Sequence, residues 1–377
     1  MDTPEEADFR ASVRRFVERE LAPHAAAWDE AGSFPRALYR RAAELGLLQL
    51  GYPEALGGTP APLAIRLIAA EELARTGVGG LMASLFSHQI ALPPIVAHGS
   101  AALQRLVVPP VLAGEAIAAL AITEPGGGSD VARLRTTARL DGGHWVVDGE
   151  KTFITSGLRA DWLTVAVRTG GPGAAGISLL VVDGGSPGLQ RSELKKMGWW
   201  CSDTAQLRFD GVRVPADRLV GDEGAGFRMI MANFNGERLL MAAGAVAYAQ
   251  VCLDEATAWA LQRQAFGQPL AAHQALRHRL MDMRTRIVAS RAMLADVAAR
   301  FEADPADHAT IADLCLLKNQ ATDTMQACAD GAVQILGGMG YMRGTKSERI
   351  YREAKVMQIG GGATEIMKEL AWRQLQG

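Results

Sequence analysis

The chain holds few of the features that mark secreted, membrane-spanning or nucleic-acid-binding proteins. It has four cysteines in 377 residues (Cys201, Cys252, Cys315 and Cys328), far apart and without a CxxC pair. That scarcity excludes a disulfide framework and points to reduced thiols in a cytoplasmic protein. No apolar run approaches about 18 residues without a polar or charged break, so no transmembrane helix is expected. The opening MDTPEEADFRASVRRF is acidic and then amphipathic, which does not fit a secretory signal. A formal net charge of -2 offers no footprint for nucleic acid or an anionic membrane. The seven histidines include no HExxH, and His273 and His278 lie five apart, off one helical face. No metal is expected.

What is present reads as globular: 49% hydrophobic and 21% charged residues, over a length that exceeds one typical core. Residues 1–119 read as helices, with apolar positions three and four apart in FRASVRRFVERELAPHAAAWDEAG and PRALYRRAAELGLLQL. From 120 to 221 the character changes. HWVVDGEKTFITSG, WLTVAVRTGG, GISLLVVDGG and AQLRFDGVRVP read as strands joined by tight turns at Asp141, Asp148, Asp183 and Asp210, each followed by glycine. No useful helix interrupts them, so a compact antiparallel sheet or barrel is expected. Residues 222–377 return to long helices with short loops, as in an antiparallel bundle that also contacts other subunits. The fold class is α+β, mostly α.

Two glycine-rich stretches invite a chemical reading. Gly184-Gly185-Ser186-Pro187-Gly188 matches the nucleophile-elbow spacing, but the residue after that serine must donate an N–H and proline has none. Ala121 to Asp130, AITEPGGGSD, lacks the GK[ST] of a phosphate loop. On its own it reads as a flexible loop, although its exposed N–H groups with Thr123 and Ser129 suit a phosphate or polar ring atoms.

That decapeptide resembles the TEPxxGSD signature of the acyl-CoA dehydrogenase family, flavoproteins that oxidise acyl-CoA thioesters. Further landmarks follow in order: KTFITSG at Lys151–Gly157, RQAFGQPL with Gln274, QILGGMGY at Gln334–Tyr341, and YREAKVMQI. The resemblance implies an N-terminal helical domain, a central antiparallel β-barrel-like domain and a C-terminal four-helix bundle. It implies bound FAD, electron-transfer flavoprotein as acceptor, and a homotetramer built as a dimer of dimers. By position, Thr123 and Ser129 would contact the flavin, Phe153 would pack on the isoalloxazine, and Thr155 would hydrogen-bond flavin N5. Arg263, Phe266, Gln274, Gln334, Gly337 and Gly338 fall where the family binds a neighbouring subunit's FAD, and Glu365 joins the cofactor contacts. An arginine fork suits a phosphate; alone, Arg263 would read as a solvated helix-end cation.

One departure is informative. Many members carry their catalytic base as a glutamate at the position that is Gly361 here, inside QIGGGATEI. Alanine also stands at 363 where threonine is usual. Isovaleryl- and long-chain-type members instead place the base on a helix in an ERL context, which Asn235-Gly236-Glu237-Arg238-Leu239-Leu240 resembles. Glu237 is therefore the expected base, with Ser129, Asn235, Arg238, Gly361 and Gly362 on the substrate side. Without the missing carboxylate at 361, Glu237 would read as an ordinary helix acid. The small side chain at 361 implies open volume beside the reacting carbons, admitting branched or longer acyl groups. An acyl-carrier-protein-linked dehydrogenase, a flavin oxidase or monooxygenase, and a non-catalytic flavin-binding protein remain alternatives.

Overall fold

The computed structural model describes residues 3–376. Its first layer is helical and includes α1 (Pro4–Phe16), α2 (Leu63–Ala74) and α3 (Ala101–Leu112). A capping box starts α1: Glu6 N–H donates to Thr3 Oγ1 at 3.2 Å and Thr3 N–H to Glu6 Oε2 at 2.7 Å. The apolar face of α1 buries Val13 and Phe16, while Arg10 and Arg14 converge on buried Glu72 of α2 at 2.8–3.1 Å.

The central layer contains β1 (Ala118–Ala121), β2 (Thr137–Asp141), β3 (His144–Thr155), β4 (Trp162–Arg168), β5 (Ile177–Asp183), β6 (Leu189–Glu193), β7 (Thr204–Pro215) and β8 (Leu219–Val220). The order is β6-β7-β3-β2-β4-β5-β8, with β1 beside β4. This corrects the expected antiparallel barrel, because the sheet is open and mixed. β1 runs parallel to β4, and β2 meets β4 in parallel through the single pair Thr137–Arg168. There the Arg168 N–H donates to the Thr136 carbonyl at 2.7 Å, and its side chain donates to the carbonyls of Leu134 at 3.0 Å and Ala132 at 2.8 Å in the segment before β2. A guanidinium thus satisfies backbone acceptors that lie outside the ladder.

Two of the four expected turns are also corrected. Asp141-Gly142-Gly143 links β2 to β3, and Asp183-Gly184 leaves β5. Asp148 and Asp210, however, face each other inside the continuous β3–β7 pair, where the register shifts. One residue of β3 there opposes two of β7, and Gly211 (φ +61°) donates its N–H to Asp148 Oδ1 at 2.8 Å. The dipeptide makes a bulge, not a hairpin. Gly184–Gly188 is a loop between β5 and β6.

The third layer holds α4 (Gly226–Gln262), a short hairpin β9 (Gln264–Ala265) and β10 (Gln268–Pro269), α5 (Gln274–Ala303), α6 (His308–Leu336), α7 (Lys346–Ile359) and α8 (Thr364–Leu375). By length and composition alone α4 could cross a membrane, although its most apolar stretch is mostly buried inside the protein. Its Ala242, Ala245, Ala249 and Cys252 instead share a buried core with Met283 and Ile287 of α5 and Leu317 and Ala321 of α6. Small residues at that spacing let the helix axes approach closely.

The three layers lock together at buried Asp29. Its Oδ1 accepts the Cys201 N–H at 3.2 Å, and its Oδ2 faces Arg349 and Arg352 of α7 at 3.4 and 3.5 Å. Beside it, Glu353 accepts the Gly79 N–H at 2.7 Å. Burial and Asp29 push that carboxyl up to about 8.

Candidate active site

The Thr123–Asp130 loop leaves β1 and is pinned from beneath. Glu124 is buried; its Oε1 accepts from the Thr136 N–H at 2.8 Å and Lys151 Nζ at 2.9 Å, and its Oε2 from the Arg135 N–H at 2.6 Å. Lys151 is fully buried and also donates to the Ile122 carbonyl at 2.8 Å. Burial lowers the Lys151 ammonium to about 8 against the pull of Glu124. Burial would raise Glu124, but Lys151 and Thr136 hold it below the usual carboxylate range. Neither member of this pair was singled out from sequence, though both lie inside the quoted motifs.

Above the pair, the Thr152 N–H donates to the Thr123 carbonyl at 2.8 Å, so the loop and the end of β3 form one surface. An added Cβ at Gly126 or Gly127 would meet nothing within 4 Å, and one at Gly128 would touch Thr123 Cγ2 at 3.5 Å. Ser129 is exposed on this loop and Thr155 is half-buried beside Thr204. Phe153 has a left-handed backbone (φ +60°) at a register shift in β3, and its ring is 69% exposed. A strained backbone that presents a bare ring, costing about 1–3 kcal/mol, marks a face built to be covered. Thr123, Ser129, Phe153 and Thr155 are thus brought together, and the surface they form suits a flat ring system such as FAD.

Glu237 projects from the fourth turn of α4. Its Oε2 is buried and makes no hydrogen bond among the described residues. Burial raises this carboxyl to about 7, with Arg238 and Lys318 pulling the other way. The next residue, Arg238, is buried and donates from Nε to the Gly361 carbonyl at 2.9 Å and from Nη1 to Asn235 Oδ1 at 2.9 Å. Asn235, Glu237, Arg238, Gly361 and Gly362 therefore meet at one end of the bundle. An unpaired carboxyl poised near neutrality in a sheltered site is suited to accept a proton.

The volume expected beside Gly361 is not open. A Cβ there would sit 2.9 Å from Met241 Sδ, and the residue is left-handed at φ +66°. Met241 lies one helical turn beyond Glu237 and fills the room that a side chain at 361 would take. Sequence reasoning also missed Lys318 and Asn319 of α6. Lys318 Nζ donates to the Gly362 and Gln358 carbonyls at 2.8 and 3.1 Å, and Asn319 Nδ2 to the Thr364 carbonyl at 2.9 Å. The available signal was a lone lysine directly after the apolar run LCLL.

The remaining cofactor candidates lie elsewhere. Arg263, at the far end of α4, is roughly 26 residues beyond Glu237, or about 39 Å along the helix. Gln274 begins α5, and Gln334, Gly337 (φ +62°) and Gly338 are exposed where α6 ends, so all cluster at that far end. Phe266 caps the β9–β10 hairpin with φ +53° and is 96% exposed. Glu365 is exposed in the first turn of α8, at the Glu237 end. Within one chain the two groups stay apart.

Comparison with known proteins matches all three layers. Family models for the N-terminal, middle and C-terminal domains of acyl-CoA dehydrogenase match residues 3–115, 119–212 and 224–376. The long-chain specific acyl-CoA dehydrogenase of Sus scrofa mitochondria is 37% identical over 371 residues, covering 97% of this chain and 85% of that protein. A solved structure of a probable acyl-CoA dehydrogenase from Mycobacterium abscessus is 47% identical, with a TM-score of 0.96 and coverage of 99% of both chains. A glutaryl-CoA dehydrogenase from Mycobacterium smegmatis, solved in complex with FADH2, is 25% identical with a TM-score of 0.90, covering 100% of this chain and 95% of that one.

Proposed function

The chain belongs to the acyl-CoA dehydrogenase family, and from that premise we propose that Glu237 is the base that removes the α-proton of an acyl-CoA thioester. The protein is an oxidoreductase acting on CH–CH groups; FAD, held by the Thr123–Ser129 loop and the Phe153–Thr155 face, would supply the acceptor for the β-hydride in forming the trans-2-enoyl thioester. The observation that carries the assignment of the base is the buried Glu237 Oε2 without a hydrogen bond, beside Arg238 and the side-chain-free turn at Gly361.

The thioester carbonyl acidifies the α-proton, and the carboxylate of Glu237 receives it. Exclusion of water around Glu237 makes it a stronger base than an exposed glutamate. The Thr123–Ser129 loop and Phe153–Thr155 would hold the isoalloxazine, with the Thr155 hydroxyl placed for the polar edge of the ring. Arg238 and Asn235 shape the substrate side together with Gly361 and Gly362.

The assembly we propose is a homotetramer in which Arg263, Phe266, Gln274, Gln334, Gly337 and Gly338 of one subunit reach the FAD of its neighbour. The exposed apolar side chains of Phe266, Met339, Tyr341 and Met342 at that end support it. Electron-transfer flavoprotein is the proposed acceptor and the cytoplasm the proposed location.

Anaerobic mixing with a panel of acyl-CoA thioesters, followed by flavin bleaching, tests this function. Glu237→Gln should slow bleaching by at least about 10²-fold, the lower range for general-base catalysis. FAD content and reduction by dithionite should persist. A wild-type rate in Glu237→Gln sinks the assignment. Fast reoxidation of the bleached enzyme by air would favour an oxidase instead.

A further inference from the structure

Two lysines are fully buried, and they are solved differently. Lys151 is paired with Glu124 at 2.9 Å. Lys318 has no carboxylate within salt-bridge distance among the described residues; its ammonium meets only the neutral carbonyls of Gly362 and Gln358. Burying an ammonium on two carbonyls is costly, and a neutral donor would hold the same turn at less cost. The charge itself therefore needs an explanation.

Glu237 supplies one. Arg238, the next residue on its own helix, and Lys318 of α6 are the cations that draw its titration downward against burial. The turn opposite, Gln358 to Thr364, contributes no ionisable side chain. Around Lys318 the other groups are Arg238, Cys315 and Asp323, of which Asp323 is engaged by the Gln358 amide at 2.9 Å. Arg238 and Lys318 also grip successive carbonyls, Gly361 at 2.9 Å and Gly362 at 2.8 Å. Both cations thus bind the glycine turn and flank the same unpaired carboxylate.

We propose that Lys318 is a positioning residue for proton abstraction: it pins the triple-glycine turn and places a positive charge that keeps Glu237 ionised at neutral pH. This rests on the reading of Glu237 as the base. Burial, helped by Arg238, lowers the Lys318 ammonium to about 8, while Glu237 pulls it upward. A positive neighbour in a poorly solvated site favours the charged form of a carboxyl and shifts its titration downward.

The test follows the pH profile of acyl-CoA-driven flavin reduction in three FAD-loaded variants. Lys318→Gln keeps an N–H donor for the carbonyls but removes the charge; its acid limb should move up by roughly half to one pH unit. At pH 6.5 that is a several-fold slower reduction, with the wild-type rate approached at alkaline pH. Lys318→Arg restores the charge and should return the limb. An unmoved limb in Lys318→Gln overturns the proposal. So does a limb that stays displaced in Lys318→Arg, or loss of FAD and thermal stability in Lys318→Gln, which would make Lys318 a packing residue. Glu237→Gln separates the two readings: if it retains flavin reduction, the base is wrong, whatever the Lys318 variants do.

Discussion

A Cβ on Gly361 would stand 2.9 Å from Met241 Sδ, so a side chain from α4 occupies what a side chain on the turn would otherwise fill. The glycine here is a place already taken.

That contact governs any attempt to move the base. Glu237→Gly with Gly361→Glu should recover little flavin reduction over Glu237→Gly alone, because the new residue meets Met241 and must adopt φ +66°. The left-handed backbone alone costs about 1–2 kcal/mol for a residue with a Cβ. Adding Met241→Ala should raise recovery. Met241→Ala by itself should increase kcat/KM for branched relative to straight acyl-CoA substrates; an unchanged ratio would show that Met241 does not border the acyl group.

The Glu237 carboxyl, raised to about 7 by burial, has to be ionised to act. Flavin reduction at saturating acyl-CoA should therefore rise with pH through about 7. Stability runs the opposite way. A folded-state value above the ordinary 4.5 contributes stability that is complete below 4.5 and lost as pH climbs through about 7. Glu237→Gln, being uncharged, should gain on the wild type across that window, by up to about 3 kcal/mol at pH 8. Thermal unfolding of both proteins at pH 5 and pH 8 checks the sign.

Phe266 is 96% exposed at a hairpin tip, so it adds almost nothing to the core of its own chain. Phe266→Ala should leave unfolding within about 0.5 kcal/mol of the wild type, as ordinary surface changes do. FAD retention on gel filtration should nonetheless fall. Full retention would argue against a role for this ring in holding the cofactor.

Lys151→Met leaves the buried Glu124 carboxylate without its cation, which should cost about 3–5 kcal/mol. Combining it with Glu124→Gln should return part of the loss, measured by urea unfolding as a double-mutant cycle. FAD content should drop in the single variant, because Thr123 rides directly on this pair.

The sequence disclosed the candidate base through a substitution between two distant places: glycine at 361 made sense only with an acid at 237. It offered Thr123, Phe153 and Thr155 as flavin candidates because they lie in short motifs, and the structure sets the Thr123 loop against the end of β3. It could not disclose the partners of Lys318 or Met241, which are backbone carbonyls or empty positions far along the chain. Nor could it separate Asp141-Gly142 from Asp148-Gly149, which share local chemistry. Only the strand opposite decides which becomes a hairpin and which a bulge. The open sheet escaped for the same reason: closure depends on whether β6 and β8 meet, and no local pattern specifies that.

The length of α4, with Glu237 near its start and Arg263 at its end, gives each chain two separable duties in the proposed assembly. One chain carrying Glu237→Gln still lends a sound far end to its neighbour. Another carrying Phe266→Ala still owns a sound base. Co-expressed, the two defective alleles should complement each other, because one composite centre in each mixed pair draws only on their undamaged halves. Bacteria holding both genes would then oxidise an acyl-CoA faster than either strain alone, and recessive defects at opposite ends of a single helix would behave as though they lay in different genes.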